Sequence, residues 1–158
     1  LGACILALLI LALPCPAGKG TGQGLSRQAW HLVAKIREAD DLLHARPELR
    51  PRLRESHPEL CFCALAGGAP MASAKRTPAG RKQRVALLAR YFRPAHALLA
   101  DTLGHHRRRQ VAPDDVLDAL CLAVSARLGA GRGRLRTVPE DPPRDARGRP
   151  MEIVYAER

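Results

Sequence analysis

The residues best suited to chemistry in this sequence are carboxylates near residue 115. Asp115 and Asp118 are three residues apart and Asp114 and Asp118 are four apart, so each pair shares a helix face. Two carboxylates on a first helical turn can hold Mg²⁺ or Mn²⁺ if a third ligand comes from elsewhere, and Glu55 is a candidate for that position. Two such metals would stabilise the attacking and leaving oxygens of a phosphodiester displacement. The alternative is that the first-turn acids only stabilise the helix N-terminus and that Asp118 pairs with an arginine.

The balance of charge favours a phosphate-rich partner. The chain has 158 residues and a net charge of +11, and 22 of its 26 basic residues are arginine. Arginine binds phosphate through two parallel hydrogen bonds, and basic surfaces displace counterions from nucleic acids. A GC-rich coding sequence would raise Arg, Ala, Gly and Pro together and explain the same composition. The charge therefore supports a nucleic-acid partner without establishing one.

Helices predominate among the elements that must position these residues. Apolar residues spaced three and four apart predict helices at residues 26–44, 59–66, 77–93 and 113–129. Leucines between 98 and 103 indicate further helical turns before a basic loop at 105–109. Short strands are predicted at 52–56 and 151–155, the second preceded by a linker at 129–150 that is rich in Gly, Arg and Pro.

The first 17 residues differ from the rest of the chain. Residues 1–13 are apolar and uncharged, and they are shorter than a bilayer span. The segment fits a buried core piece, a truncated start or the apolar part of a secretory signal, although no basic region precedes it. We therefore expect a cytoplasmic protein without a membrane span, with export as the alternative.

Four stretches of sequence, in this order, resemble the DUF429 family. They are GLSRQAW with KIREAD within residues 24–40, ESHPELCF at 55–62, KRTPAGR with Arg84 at 75–84, and DDVLDA at 114–119. Residues 139–155 resemble the end of the family, so the resemblance covers roughly residues 18–155. The D-x-x-D-A pattern beginning at Asp115 is also similar to that of Holliday-junction resolvases.

The resemblance implies an α/β fold of the RNase H-like type, a mixed sheet flanked by helices, and a metal-dependent nuclease site. It divides the chain into the apolar segment 1–17 and a partial domain at 18–158. The family opens with a glycine-flanked aspartate on its first strand, whereas the first acidic residue here is Glu38. We therefore expect a helix-rich, N-terminally incomplete domain whose site lacks its central carboxylate.

The same resemblance assigns four residues to catalysis. Glu55 matches the carboxylate at a strand end, and Asp115 and Asp118 match the helix carboxylates, with Asp114 beside them. Glu55, Asp115 and Asp118 are the expected ligands of Mg²⁺ or Mn²⁺.

Five further residues receive supporting or binding roles from the resemblance. His57 and Glu59 complete the first motif, and a hydrogen bond at the helix start is the alternative role for His57. Lys75, Arg81 and Arg84 are expected to contact nucleic acid, with a solvated helix face as the alternative.

Three functions are left open by the sequence. The first is a metal-dependent nuclease of the RNase H-like superfamily. The second is a non-catalytic, basic nucleic-acid-binding protein of the same fold. The third is an exported interaction protein with residues 1–17 as its signal. The sequence gives no oligomeric state.

Overall fold

The computed structural model describes residues 27–107, 109–131 and 133–157. Within these ranges the elements are α1 (Arg27–Ala45), a short 3-10 helix (Pro47–Leu49), α2 (Pro58–Leu65), α3 (Pro78–Ala89), α4 (Ala95–His105), α5 (Pro113–Gly129), β1 (Leu135–Val138) and β2 (Ile153–Ala156). The predictions for the apolar segment 1–17 lie outside the described residues. They therefore stay predictions.

The two strands form an antiparallel pair. Leu135 is opposite Ala156 at one end of the pair, and Val138 is opposite Ile153 at the other. Five α-helices with one small sheet confirm the prediction of a helix-rich α/β fold. No parallel strand pair occurs within the described ranges, so the mixed sheet and the RNase H-like assignment stay predictions.

Three of the helices begin at a proline. Pro58, Pro78 and Pro113 stand at the first positions of α2, α3 and α5, where a missing N–H costs nothing. The predicted span of α5 is confirmed, and that of α2 to within one residue. The prediction for α3 was too long, because the helix ends at Ala89 instead of near Arg93, whose following proline disfavours helical backbone.

The core lies around α5. This helix packs against α2, α3, α4 and β2. Phe62, Leu65, Leu88 and Leu117 are fully buried between the helices, and Val154 is buried where β2 meets them. The α5 carboxylates therefore project from a helix that is fixed by packing on several sides.

Helix α1 lies apart from this core. It supplies no residue to the core cluster, and Trp30 is 67% exposed. Asp40 pairs with Arg147 and Arg149 of the loop before β2. Although α1 has 19 residues, no helix in the described ranges combines the length and the apolarity that crossing a membrane requires.

Two predictions about strands were wrong. Residues 52–56 do not form a strand, because only one backbone hydrogen bond joins them to β2, from Val154 N–H to the Glu55 carbonyl at 2.7 Å. The Ser56 hydroxyl donates to the Val154 carbonyl at 2.6 Å, where a strand would offer a backbone amide. The predicted linker at 129–150 contains β1, which pairs with a segment far along the chain.

Candidate nucleic-acid interface and carboxylate cluster

The first turns of α5 present three carboxylates. Because Pro113 begins the helix, Asp114 and Asp115 fall in its first turn and Asp118 lies one turn further. Asp115 is exposed, whereas the Asp118 side chain is only 16% exposed. Negative side chains are favoured at this end by the helix dipole.

A basic pair from the loop before α3 neutralises two of these carboxylates. The Lys75 ammonium donates to Asp118 Oδ2 at 2.9 Å, and Arg76 Nε lies 3.9 Å from Asp114 Oδ2. The sequence-based alternative placed an arginine on Asp118, and the partner is a lysine instead. Arg76 was missed as a site residue, although its position beside Lys75 was the available signal.

The Lys75–Asp118 pair is partly shielded from solvent. The hydrogen bond to Asp118 raises the pKa of Lys75, because it stabilises the charged ammonium. Burial raises the pKa of Asp118 despite the opposing effect of Lys75. At 2.9 Å the contact has the geometry of an ion pair, in which the ammonium stabilises the ionised carboxylate.

The loop that carries Lys75 is fixed to the start of α3. The Thr77 side chain caps the helix by accepting from Gly80 N–H at 3.0 Å and donates to the Ala74 carbonyl at 2.8 Å. A Cβ atom on Gly80 would lie 2.0 Å from the Ala74 carbonyl oxygen, so only glycine permits this approach. Lys75 therefore leaves a well-defined backbone.

Arg84 does not lie on the surface. Its side chain is only 4% exposed, and its Nη2 group donates to both carboxylate oxygens of Glu59, at 2.9 and 2.8 Å. It also donates to the Ser73 carbonyl at 2.9 Å and stacks 5.4 Å from the centre of the Phe62 ring. We therefore correct the sequence-based prediction of a phosphate contact, because this guanidinium is used inside the protein to join α2, α3 and the Lys75 loop.

Glu59, expected as a supporting residue, is thus the partner of Arg84. His57 precedes α2, where its side chain is exposed and makes no cap hydrogen bond, so the alternative role suggested for it is not observed. Its backbone carbonyl accepts from Cys61 N–H at 3.0 Å.

Glu55 lies in the segment beside β2 and forms no metal-binding group with the described α5 carboxylates. Burial raises its pKa to about 7, and no charged neighbour contributes to that shift. The acidic side chains that act on Asp118 are instead Glu59 and Asp114. The structure therefore brings Asp114, Asp115 and Asp118 together on one helix but does not add Glu55 to them.

The described side chains do not group into a site for a divalent metal. From residue 27 onward, no three His, Cys, Asp or Glu side chains that the structure describes are grouped closely enough to hold a metal ion. Glu55, Asp115 and Asp118 therefore do not by themselves make a complete site for Mg²⁺ or Mn²⁺. The cation that the structure places on Asp118 is the Lys75 ammonium.

Basic residues dominate the segment that runs from the Lys75 loop through α3 and α4. Residues 69–112 contain ten Lys or Arg residues and a single carboxylate, Asp101. Arg81 is half-exposed there and donates to the Arg76 carbonyl at 3.2 Å. Six of the described basic residues have exposed side chains: Arg76, Lys82, Arg90, Arg93, Arg107 and Arg109. This segment, called the basic segment below, adjoins the carboxylates through Lys75 and Arg76.

An open cavity of about 240 Å³ lies at the other end of α5. Its lining is mainly apolar: Tyr91, Phe92, Leu120, Ala123, Val124, Arg127 and Leu128. It contains no carboxylate, so it is distinct from the candidate interface.

Fold and site together define a helix-rich α/β domain with a carboxylate cluster beside a basic helical segment. A family model described as "Protein of unknown function (DUF429)" matches residues 16–144, which is most of the chain, and the chain belongs to that family. No curated protein and no solved structure matches the chain significantly.

Proposed function

We propose that this chain binds the phosphate backbone of nucleic acid through the basic segment, on a domain of the RNase H-like type. The observation that carries the proposal is the uneven charge, since residues 69–112 hold ten basic residues and one acidic residue. The loop before α3, helix α3 and the stretches that follow α3 and α4 carry these charges, and six of the described ones are exposed. A closely spaced set of cations attracts a polyanion and releases its bound counterions.

Neutralisation of the carboxylates supports the same proposal. Unpaired acids beside a phosphate binding surface would repel the ligand. Lys75 and Arg76 offset Asp118 and Asp114, which leaves the exposed Asp115 as the α5 acid without an ion pair in the described part of the chain.

The test is binding of a fluorescein-labelled oligonucleotide, measured by anisotropy in EDTA over a range of KCl concentrations. About four phosphate contacts would lower the affinity roughly 10²-fold between 50 and 200 mM salt. The double variant Arg90→Gln/Arg93→Gln should weaken binding more than the matched control Arg52→Gln/Arg134→Gln, which removes two exposed arginines outside the basic segment. Absent or salt-insensitive binding would contradict the proposal.

A second candidate is the metal-dependent nuclease that the family resemblance implies. Asp118 Oδ1 is buried without a hydrogen-bond partner among the described residues, and Asp115 is exposed, so each carboxylate has an oxygen that the described residues leave unpaired. Mg²⁺ or Mn²⁺ bound there would supply Lewis-acid chemistry, but the described residues do not provide the third ligand.

Cleavage of labelled DNA and RNA with added Mg²⁺ or Mn²⁺ tests this candidate. Asp115→Asn and Asp118→Asn should each abolish metal-dependent cleavage. Equal cleavage by wild type and both variants would attribute the activity to a contaminant and remove the candidate.

We further propose a cytoplasmic location. Cys61, Cys63 and Cys121 are free thiols, which persist in a reducing compartment. Recovery of the protein from an exported fraction would favour the alternative in which residues 1–17 are a signal.

A further inference from the structure

The Lys75–Asp118 pair has a geometry that suits phosphate binding without a metal. We infer that Lys75 is a fixed phosphate-binding cation, that Asp118 is the residue that positions it, and that nucleic-acid binding by this chain does not require a divalent metal. This inference rests on the proposed nucleic-acid binding and adds a site to it.

The ammonium of Lys75 has hydrogen-bond capacity beyond the pair. It carries three N–H donors, and one of them is used on Asp118 Oδ2 at 2.9 Å. The Lys75 side chain is 39% exposed, whereas that of Asp118 is 16% exposed. The carboxylate is therefore the more buried partner, and the more exposed lysine keeps two N–H donors that the pair does not use.

Two elements fix this arrangement. Asp118 lies on α5, the helix at the centre of the core. Lys75 leaves the loop that Thr77 and Gly80 hold against the start of α3. An unpaired lysine would lose side-chain freedom on binding phosphate, whereas Lys75 has lost part of it already in the folded chain.

The described side chains do not form a divalent-metal site, and this supports the same conclusion. The described residues do not form a three-ligand metal group, and a protein cation occupies the carboxylate that a metal would use. Lys75 therefore supplies the positive charge that a metal would otherwise bring to this position on α5.

Two pairs of variants test the inference with opposite expected signs. Asp118→Asn and Asp115→Asn each remove one negative charge from the same end of α5. Simple electrostatics predicts that both changes strengthen the binding of a polyanion. If Asp118 positions Lys75, Asp118→Asn should instead weaken binding several-fold, while Asp115→Asn should strengthen it. Similarly, Lys75→Gln should weaken binding about tenfold and more than Lys82→Gln, which removes an exposed cation of α3.

The assay is oligonucleotide anisotropy with the full chain, in EDTA and in Mg²⁺, with a thermal melt of each variant. Lys75→Gln and Asp118→Asn should each reduce the slope of log affinity against log salt by about one phosphate contact, and Asp118→Glu should restore binding toward wild type. A variant that only loosens the fold would lower the melting temperature without this change in slope. If Asp118→Asn unfolds the protein, the comparison of Lys75→Gln with Lys82→Gln still decides the question.

Three results would overturn the inference. Binding in EDTA that Asp118→Asn strengthens as Asp115→Asn does would show that Asp118 does not position Lys75. Binding that appears only with Mg²⁺ would remove metal independence and leave nucleic-acid binding intact. No binding by wild type under either condition would remove the proposed function together with the inference.

Discussion

Replacing Arg84 tests whether this residue is structural. Arg84→Met keeps the apolar stem that packs near Phe62 and removes the guanidinium. The Glu59 carboxylate and the Ser73 and Gly80 carbonyls then lose hydrogen bonds that are now 2.8 to 3.2 Å long.

The expected cost follows from the burial of the two partners. Removing one member of a buried ion pair costs about 3–5 kcal/mol, because the other charge stays uncompensated. The Glu59 side chain is 40% exposed and can regain water, which places the cost at the lower end of that range. At about 2–4 °C per kcal/mol for a chain of this size, the melting temperature should fall by roughly 6–12 °C.

The assay is a thermal melt by circular dichroism beside the matched control Arg81→Met. Arg81 is the half-exposed arginine on the same helix, and its loss should change stability by about 0.5 kcal/mol or less. Oligonucleotide affinity is measured on both variants. If Arg84→Met melts with Arg81→Met but loses more affinity, Arg84 is a surface phosphate ligand and the structural argument is wrong.

Three further substitutions test other parts of the structure. In an ordinary helix, Gly80→Ala would raise the stability by about 1 kcal/mol. Here the added Cβ would clash with the Ala74 carbonyl, so we expect a lower melting temperature and, because Lys75 moves, weaker oligonucleotide binding. A higher melting temperature would refute this. Leu117→Ala should lower the free energy of unfolding in urea by about 2–5 kcal/mol, because it opens a cavity in the core beside Asp118. A decrease below about 1 kcal/mol would show that α5 is not central to the core. The raised pKa of Glu55, about 7 against 4.5, means that the folded state prefers the protonated carboxyl, so the contribution of Glu55 to stability is full below pH 4.5 and is lost as the pH rises from 4.5 through 7. After discounting for solvent screening, the stability lost is about 1–2 kcal/mol. Glu55→Gln should not lose stability over this pH range, so parallel pH profiles of the variant and the wild type would contradict the assignment.

The helices were predictable because their signals are local. Proline at a first position and apolar residues at helical spacing fixed most of α2 and the whole of α5. Strand β1 was missed because Leu135 and Val138 give little local signal among glycine and arginine, and the strand is stabilised by pairing with β2. Local sequence does not reveal a partner that follows after fifteen or more residues.

The residue type of Arg84 favoured a surface position, and the residue is buried. Arginine on a helix is usually solvated, so a surface role was the natural expectation. The spacing of Arg84 indicates a buried position instead, since Arg84 precedes the buried Leu88 by four residues and therefore shares its helix face. The partner, Glu59, lies 25 residues earlier, and the packing of both α2 and α3 against α5 brings the two together.

The carboxylates of α5 raise a physical question for any phosphate-binding function, because acids beside a polyanion are unfavourable. Two adjacent basic residues of one loop offset these acids. Lys75 lies on Asp118 and Arg76 lies near Asp114, so this end of α5 carries much less negative charge than its sequence indicates. Because the half-exposed Lys75 uses only one N–H donor on Asp118, the acid that it neutralises can also hold it in place for a phosphate. A carboxylate cluster can therefore support phosphate binding here, and the opposite effects expected for Asp118→Asn and Asp115→Asn follow directly from this geometry.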